Sequence, residues 1–306
     1  MADGICGTRN QVGGQLMFLD FSSTTGTSFF VSSGTGSSTN TGRTPASPFA
    51  TLAQAVAACT ANNGDRIYLM PGHAETISGA AGIAIATAGI GIFGLGIGSN
   101  RPTFTWATST AATWTITAAN VTIKNIRCTS SIDEVVVLFS SSAAHLTLDA
   151  VDYFETTSCQ AIKFLLTTAA STDLVVKNCK HVQQTAAGSA QPWLTMTGAD
   201  RYTVIDNDFR LKLNDSATSG VVVAVTTQSV NVVIARNIVH MTGYSASLLS
   251  AFLSTSGTTG MVCDNRIGTD VAANTTVNDM PGCYSFNNLV TNAIDKSGII
   301  DPVADT

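Results

Sequence analysis

The stretch Val121-Thr-Ile-Lys-Asn125-Ile reads as an apolar strand closed by a turn residue and followed by a second short strand. Close copies stand at Leu174-Val-Val-Lys-Asn178-Cys, Thr203-Val-Ile-Asp-Asn207-Asp, Val233-Ile-Ala-Arg-Asn237-Ile and Met261-Val-Cys-Asp-Asn265-Arg. Leu146-Thr-Leu-Asp-Ala150-Val is a variant without the asparagine, and successive turn residues lie 25 to 30 residues apart. A strand repeat of this length is the signature of a solenoid, in which each unit buries its apolar face against its neighbours.

Working outward, Ala88-Gly-Ile-Gly-Ile-Phe-Gly94 superposes on the first copy and places Gly94 in the asparagine column. At the far end Cys283-Tyr-Ser-Phe-Asn287 resembles a second strand class, and Gly298 then falls in the turn column. That second class reads Val135–Phe139, Ile162–Leu166, Trp193–Met196, Val221–Val225 and Leu248–Leu253. Every coil therefore carries at least two strands in phase. Roughly eight coils, at about 4.8 Å per strand spacing, give a rod on the order of 40 Å long.

In a stacked repeat each position becomes a column along the rod. Asn125, Asn178, Asn207, Asn237 and Asn265 form a turn column, since asparagine tolerates left-handed backbone and its amide bonds to the next coil. The residues just before them, Lys124, Asp149, Lys177, Asp206, Arg236 and Asp264, alternate in sign and predict an outward ion-pair ladder that fixes register. Three places after the turn come Cys128, Tyr153, His181, Arg210 and His240. Tyr153, His181, Arg210 and His240 are the candidate surface row for binding a sugar or a neighbouring subunit, against the plainer reading of solvated surface.

Ahead of the solenoid, residues 1–44 show no period yet contain Leu16, Phe18, Phe21, Phe29 and Phe30. They predict an extended arm for attachment, because that composition does not fold alone. Residues 45–72 predict a cap: Ser47 and Pro48 open a helix, Phe49, Leu52, Val56 and Cys59 line one face, and Asn63-Gly64 ends it before the strand Arg66–Met70. A cap is needed there because an open solenoid end exposes core and unpaired strand edges. Residues 73–300 form the β-helix and 301–306 a short tail.

The charged fraction is 11% and the formal net charge −5, a balance that speaks against nucleic acid as a partner. No run reaches the roughly 18 apolar residues of a membrane span, and the start lacks a signal-peptide pattern. The seven cysteines include no CxxC pair and read as reduced thiols, with neither metal nor cofactor expected.

The run Gly42-Arg-Thr-Pro45, Pro48-Phe-Ala-Thr-Leu-Ala-Gln-Ala and Gly64-Asp65-Arg-Ile-Tyr-Leu-Met-Pro71-Gly72 resembles the N-terminal opening of right-handed parallel β-helix proteins of the pectate-lyase-like superfamily. The resemblance covers about 30 residues and implies an all-β, right-handed parallel β-helix. Many members are bacteriophage tail, tailspike or capsid-associated proteins, and others are polysaccharide lyases and hydrolases. The enzymes of the group use carboxylate clusters, for calcium or for general acid and base. The nearest candidates here are Asp133-Glu134, Asp149 with Asp152 and Glu155, and Asp206 with Asp208, while His73 reads as turn surface.

None of these matches the hydrolase patterns of the group. The resulting expectation is a non-enzymatic structural protein of a tailed-phage virion, made in the host cytoplasm, with a head-decoration role preferred. A homotrimer is expected, with a major capsid or other virion protein held through the arm. The alternative is a tailspike-type depolymerase or adhesin, whose partner is a host surface polysaccharide.

Overall fold

The computed structural model describes residues 9–12, 15–18, 26–155, 159–184, 192–212, 222–242, 250–255, 257–269 and 278–291. The chain winds as a parallel β-helix with three strands to a coil, each paired in parallel with its counterpart one coil away. Sheet one runs from Ser28–Val31 through Arg66–Leu69 and Gly91–Gly94 to Cys283–Phe286. Sheet two runs from Ala74–Ile77 to Leu289–Thr291, and sheet three from Ile83–Ile85 to Asn278–Asp279. The long strands Thr122–Ser130 and Thr147–Phe154 pass through the corner and belong to both of the first two sheets. Sheet three is eight strands deep, which fits the expected coil count.

Single left-handed residues make two of the three corners. Between sheets one and two these are Asn125, Ala150, Asn178, Asp206, Arg236, Asp264 and Asn287, with φ between 54° and 59°. A second column, Asn120, His145, Asp173, Arg201 and Asn231, precedes sheet one. Asparagine and aspartate accept this geometry by bonding locally, whereas Arg and Ala adopt it at a steric cost. The third corner, from sheet two to sheet three, carries the long connections.

The interior is a continuous apolar column. Aromatic rings stack along it: Phe104 on Trp114 at 4.9 Å, Trp114 on Phe139 at 5.3 Å, Phe139 on Phe164 at 5.1 Å. Cys128, Cys179 and Cys263 are buried and unbridged. Burial pushes the Cys179 thiol up to about 12, which removes it from nucleophilic or metal chemistry at neutral pH.

The helix at the N-terminal end spans Leu52–Ala58, shorter than the sequence pattern suggests. Its cap is Thr51, in a capping box with Gln54, and not Ser47. The residues ahead of it cover a sheet edge instead. Phe49 bridges to Val31 and its N–H donates to the Phe30 carbonyl, which occupies the free edge of sheet one. Leu52, Ala55 and Val56 are buried against the core.

Phe29 and Phe30, assigned to the arm from sequence, sit inside Ser28–Val31, the first rung of sheet one. Phe29 joins the main core, and Phe30 stacks on Tyr68 at 5.5 Å in a satellite cluster. Leu16 and Phe18 stand in the strand Gln15–Phe18, antiparallel to Arg9–Val12, so that part of the segment is a hairpin. Phe21, Gly298 and the tail fall outside the described residues. Cys283–Phe286 pairs with Gly260–Cys263 and so belongs to sheet one, not to the second strand class.

Candidate functional site

The outward column of sheet three is regular along the rod, although its members Thr195 and Ala224 are buried. It reads Ala84, Thr115, Ser140, Leu166, Thr195, Ala224, Leu253 and Asp279 from first rung to last. Only the last member carries charge. Small, hydroxylated and aliphatic groups supply neither a general acid nor a general base, so this column has no acid–base chemistry above its final rung.

Of the carboxylates nominated from sequence, Asp149, Asp152, Glu155, Asp206 and Asp208 are held in structural contacts, while Asp133 is exposed and Glu134 half-buried in a left-handed turn. Asp149 lies 2.9 Å from Lys124 and 3.9 Å from Lys177, and accepts from Asn178 at 2.8 Å. Burial pushes the Asp149 carboxyl up, but the bonds from Asn178 and Lys124 and the Lys177 charge outweigh it and hold it low. Asp152 pairs with Arg101 at 2.5 Å and accepts the Lys180 N–H at 2.8 Å. Glu155 is buried, accepting the Gln184 N–H at 2.6 Å and the Tyr153 hydroxyl at 3.4 Å. Asp206 binds Arg236 through two bonds of 2.7 Å, and Asp208 binds Arg210 through two of 3.1 Å. No cluster of three His, Cys, Asp or Glu capable of holding a metal occurs among the described residues. His73 is buried, not turn surface: its Nδ1 accepts from the Ser33 N–H at 3.0 Å and its Nε2 lies 3.2 Å from Glu75.

The asparagine column divides in two. Asn125 and Asn178 occupy the left-handed corner itself, whereas in later coils Asp206, Arg236 and Asp264 take that place and the asparagine follows inside. Asn207, Asn237, Asn265 and Asn288 are buried and bonded amide to amide: Asn207 Nδ2 donates to Asn237 Oδ1 at 2.9 Å, Asn237 to Asn265 at 3.0 Å, and Asn265 to Asn288 at 2.9 Å. The charge column divides with it. Lys124, Asp149 and Lys177 are strand neighbours, but Lys177 aligns with Ile205 and not Asp206. The ion pairs are thus Lys124–Asp149–Lys177 and Asp206–Arg236, while Asp264 accepts from Asn287.

The same one-residue step splits the row proposed for binding. Tyr153 and His181 point inward and are fully buried, in register with Cys128 and Phe209. Trp193 Nε1 donates to His181 Nδ1 at 2.6 Å, and His181 Nε2 donates to the Val151 carbonyl at 3.1 Å. Burial lowers the His181 pKa to about 3, so the imidazole is neutral. Arg210 and His240 stand outside, side by side in sheet two.

The outward half of that row borders a concave surface, which sequence reasoning missed. A groove of about 580 Å³ runs over the last coils between Arg236, Asp264 and Asn287 on one side and Ile238, Arg266 and Leu289 on the other. A shallower hollow of about 330 Å³ adjoins it, lined by Arg210, His240, Gly268 and Thr291. Ile238 and Leu289, aliphatic but exposed, lie above and below Arg266 in one column. Their position next to a corner asparagine was the available signal, once the step in register is known.

No protein-family model and no curated protein matches the chain. Among solved structures it is similar to a rhamnogalacturonan lyase, at 11% identity over 90% of this chain and 90% of that one, TM-score 0.44. A GH136 lacto-N-biosidase from Eubacterium ramulus, in its native form, is similar at 10% identity over 86% of this chain and 68% of that one, TM-score 0.44.

Proposed function

We propose that the chain is a non-enzymatic structural protein of a tailed-bacteriophage virion, a head-decoration component that displays a β-helical rod. The observation that carries the non-enzymatic part is the neutral outward column of sheet three, from Ala84 to Leu253. Glycoside hydrolysis requires two carboxyl groups roughly 5 to 9.5 Å apart and free to exchange protons. The candidate carboxylates Asp149, Asp152, Asp206 and Asp208 instead each hold a cation. The virion assignment rests on the resemblance of residues 42–72 to the opening of right-handed parallel β-helix proteins, many of which are phage tail, tailspike or capsid-associated proteins.

Quantifying the protein on purified virions tests this reading, with many copies on heads expected. A few copies confined to the tail tip would refute the decoration role. New reducing ends or unsaturated uronates after incubation with host capsule or lipopolysaccharide would refute the non-enzymatic role. A second reading, glycan binding without cleavage, is favoured by the hollow beside Arg210 and His240, where Gly268 leaves the space between His240 and Thr291 open. Loss of glycan binding in His240→Ala, measured on an array of host polysaccharides, would support it.

A further inference from the structure

Each asparagine of the interior ladder is buried, bonded through its amide and followed by a residue that carries a side chain: Asp208, Ile238, Arg266 or Leu289. Asn63 differs in the features that govern the chemistry of its own amide. It is exposed, it lies in the turn 61–64, and Gly64 follows it, the one Asn-Gly pair in the 306 residues. Glycine has no Cβ to hold its main-chain nitrogen away from the asparagine side chain. The turn also requires glycine there, since Gly64 bends left-handed at φ 74°.

The Asn63 amide belongs to a clamp centred on Asp65, which is 1% exposed. Asn63 Nδ2 donates to Asp65 Oδ1 at 2.8 Å, the Thr27 N–H donates to the same oxygen at 2.6 Å, and the Thr60 N–H donates to Oδ2 at 2.7 Å. These bonds tie the start of the first strand of sheet one, Ser28–Val31, to the end of the helix and to the next strand, Arg66–Leu69. The backbone is packed as closely as the side chains: a Cβ on Gly26 would lie 2.2 Å from the Gly64 carbonyl carbon.

We propose that Asn63 is a site of spontaneous deamidation, and that its conversion loosens the hold of Asp65 on the first strand. The Gly64 nitrogen gives up its proton and attacks Cγ of Asn63; the Cγ–Nδ2 bond breaks, and ammonia leaves a cyclic imide. Water opens the imide at either carbonyl, giving aspartate or, with the main chain rerouted through Cγ, iso-aspartate. Either product sets a second negative charge beside the buried Asp65 where a donor stood, which is unfavourable for both. Iso-aspartate also adds a methylene to a main chain that Gly26 leaves little room to shift. The chain therefore holds its N-terminal strand less firmly with age, whatever its role in a virion.

Ageing the full chain in warm, mildly alkaline buffer tests the site, read by mass spectrometry of the tryptic peptide 44–66. Conversion is expected at Asn63, with Asn207, Asn237 and Asn265 unchanged in the same sample. Asn63→Gln, whose longer side chain closes the ring far more slowly, should stay intact over the same period. An unconverted Asn63, or ladder asparagines that convert as fast, would overturn the site. Hydrogen exchange reads the consequence. The amides of residues 27–31 should exchange about tenfold faster in Asn63→Asp and in the aged chain, the effect of losing one bond to a charged group, while those of Val232–Ala235 keep their rate. Equal protection in fresh and aged chains would overturn the release, and the aged chain gives that answer even where Asn63→Asp fails to fold.

Discussion

Two adjacent inward columns divide the buried polar groups of this rod between its halves. The column just after the corner reads Ile126, Val151, Cys179, then Asn207, Asn237, Asn265, Asn288; its neighbour reads Cys128, Tyr153, His181, then Phe209, Val239, Ile267, Val290. In the N-terminal half the corner is apolar and the polar groups sit one step inside. In the C-terminal half the arrangement is reversed. The difference teaches that a buried polar side chain is tolerated in two ways. Repeated identically, it satisfies itself from coil to coil; placed singly, it needs partners built for it. Tyr153 has Ser130 at 3.2 Å and Glu155, and His181 has Trp193 and the Val151 carbonyl.

The strongest way to break this comparison is Asn237→Leu. It removes the acceptor for the Asn207 N–H and Nδ2 and the donor to the Val204 carbonyl, all buried. Since each unsatisfied buried group costs about 1–3 kcal/mol, a loss of about 3 kcal/mol or more is expected in urea unfolding. A loss below about 1 kcal/mol would mean that the ladder is decorative.

The singly placed group makes a prediction of its own in acid. His181 titrates near 3 in the folded chain against 6.5 in the unfolded one, so between those values the unfolded state binds more protons. Stability must then rise with pH across that window and fall as pH drops through it. Between pH 6 and 4 the fall is about 2–3 kcal/mol, and His181→Phe should flatten it. An unchanged slope in the variant would assign the acid sensitivity to other groups.

Smaller effects sharpen the contrast. Tyr153→Phe keeps the ring against Trp193 at 5.2 Å and removes only the hydroxyl, at an expected cost of about 1 kcal/mol. Smallest of all is Lys177→Asp, on a half-exposed side chain, with less than about 1 kcal/mol expected because exposed pairs are screened. Asp149 retains Lys124 at 2.9 Å in that variant. Its lowered pKa stabilises the fold above the ordinary carboxyl value of 3.8, a contribution lost as pH falls below it. A large loss from Lys177→Asp would show that charge alternation, and not the interior, sets register.

The repeat and its strand character were legible because burial imposes period on sequence. The register step was not, because Lys124-Asn125 and Asp206-Asn207 are the same string to a pattern: a charge, then asparagine. In the first pair the asparagine makes the bend, and in the second the aspartate does. The residue that follows separates them in part. Ile126 and Cys179 go inside after their asparagines, while Asp208 and Arg266 remain outside; Ile238 breaks the rule by staying exposed. Gly94 stands in the column for a reason composition does not reveal, since a Cβ there would lie 2.0 Å from the Asn125 carbonyl oxygen. The groove was hidden for the same reason as the step: Arg266 and Leu289 adjoin only once the coils are stacked in register.

The last asparagine differs from those before it. Asn288 Nδ2 donates to the Val262 carbonyl at 2.9 Å, and its other bond, which each earlier amide gives to an asparagine above, goes at 3.0 Å to the hydroxyl of Ser285. A serine from the same coil thus writes a full stop. The asparagine run is consequently a spelled quantity: within the described residues it covers four coils and closes on that serine. Duplicating one such coil should lengthen the molecule by one strand spacing, about 4.8 Å, and leave both ends as they are.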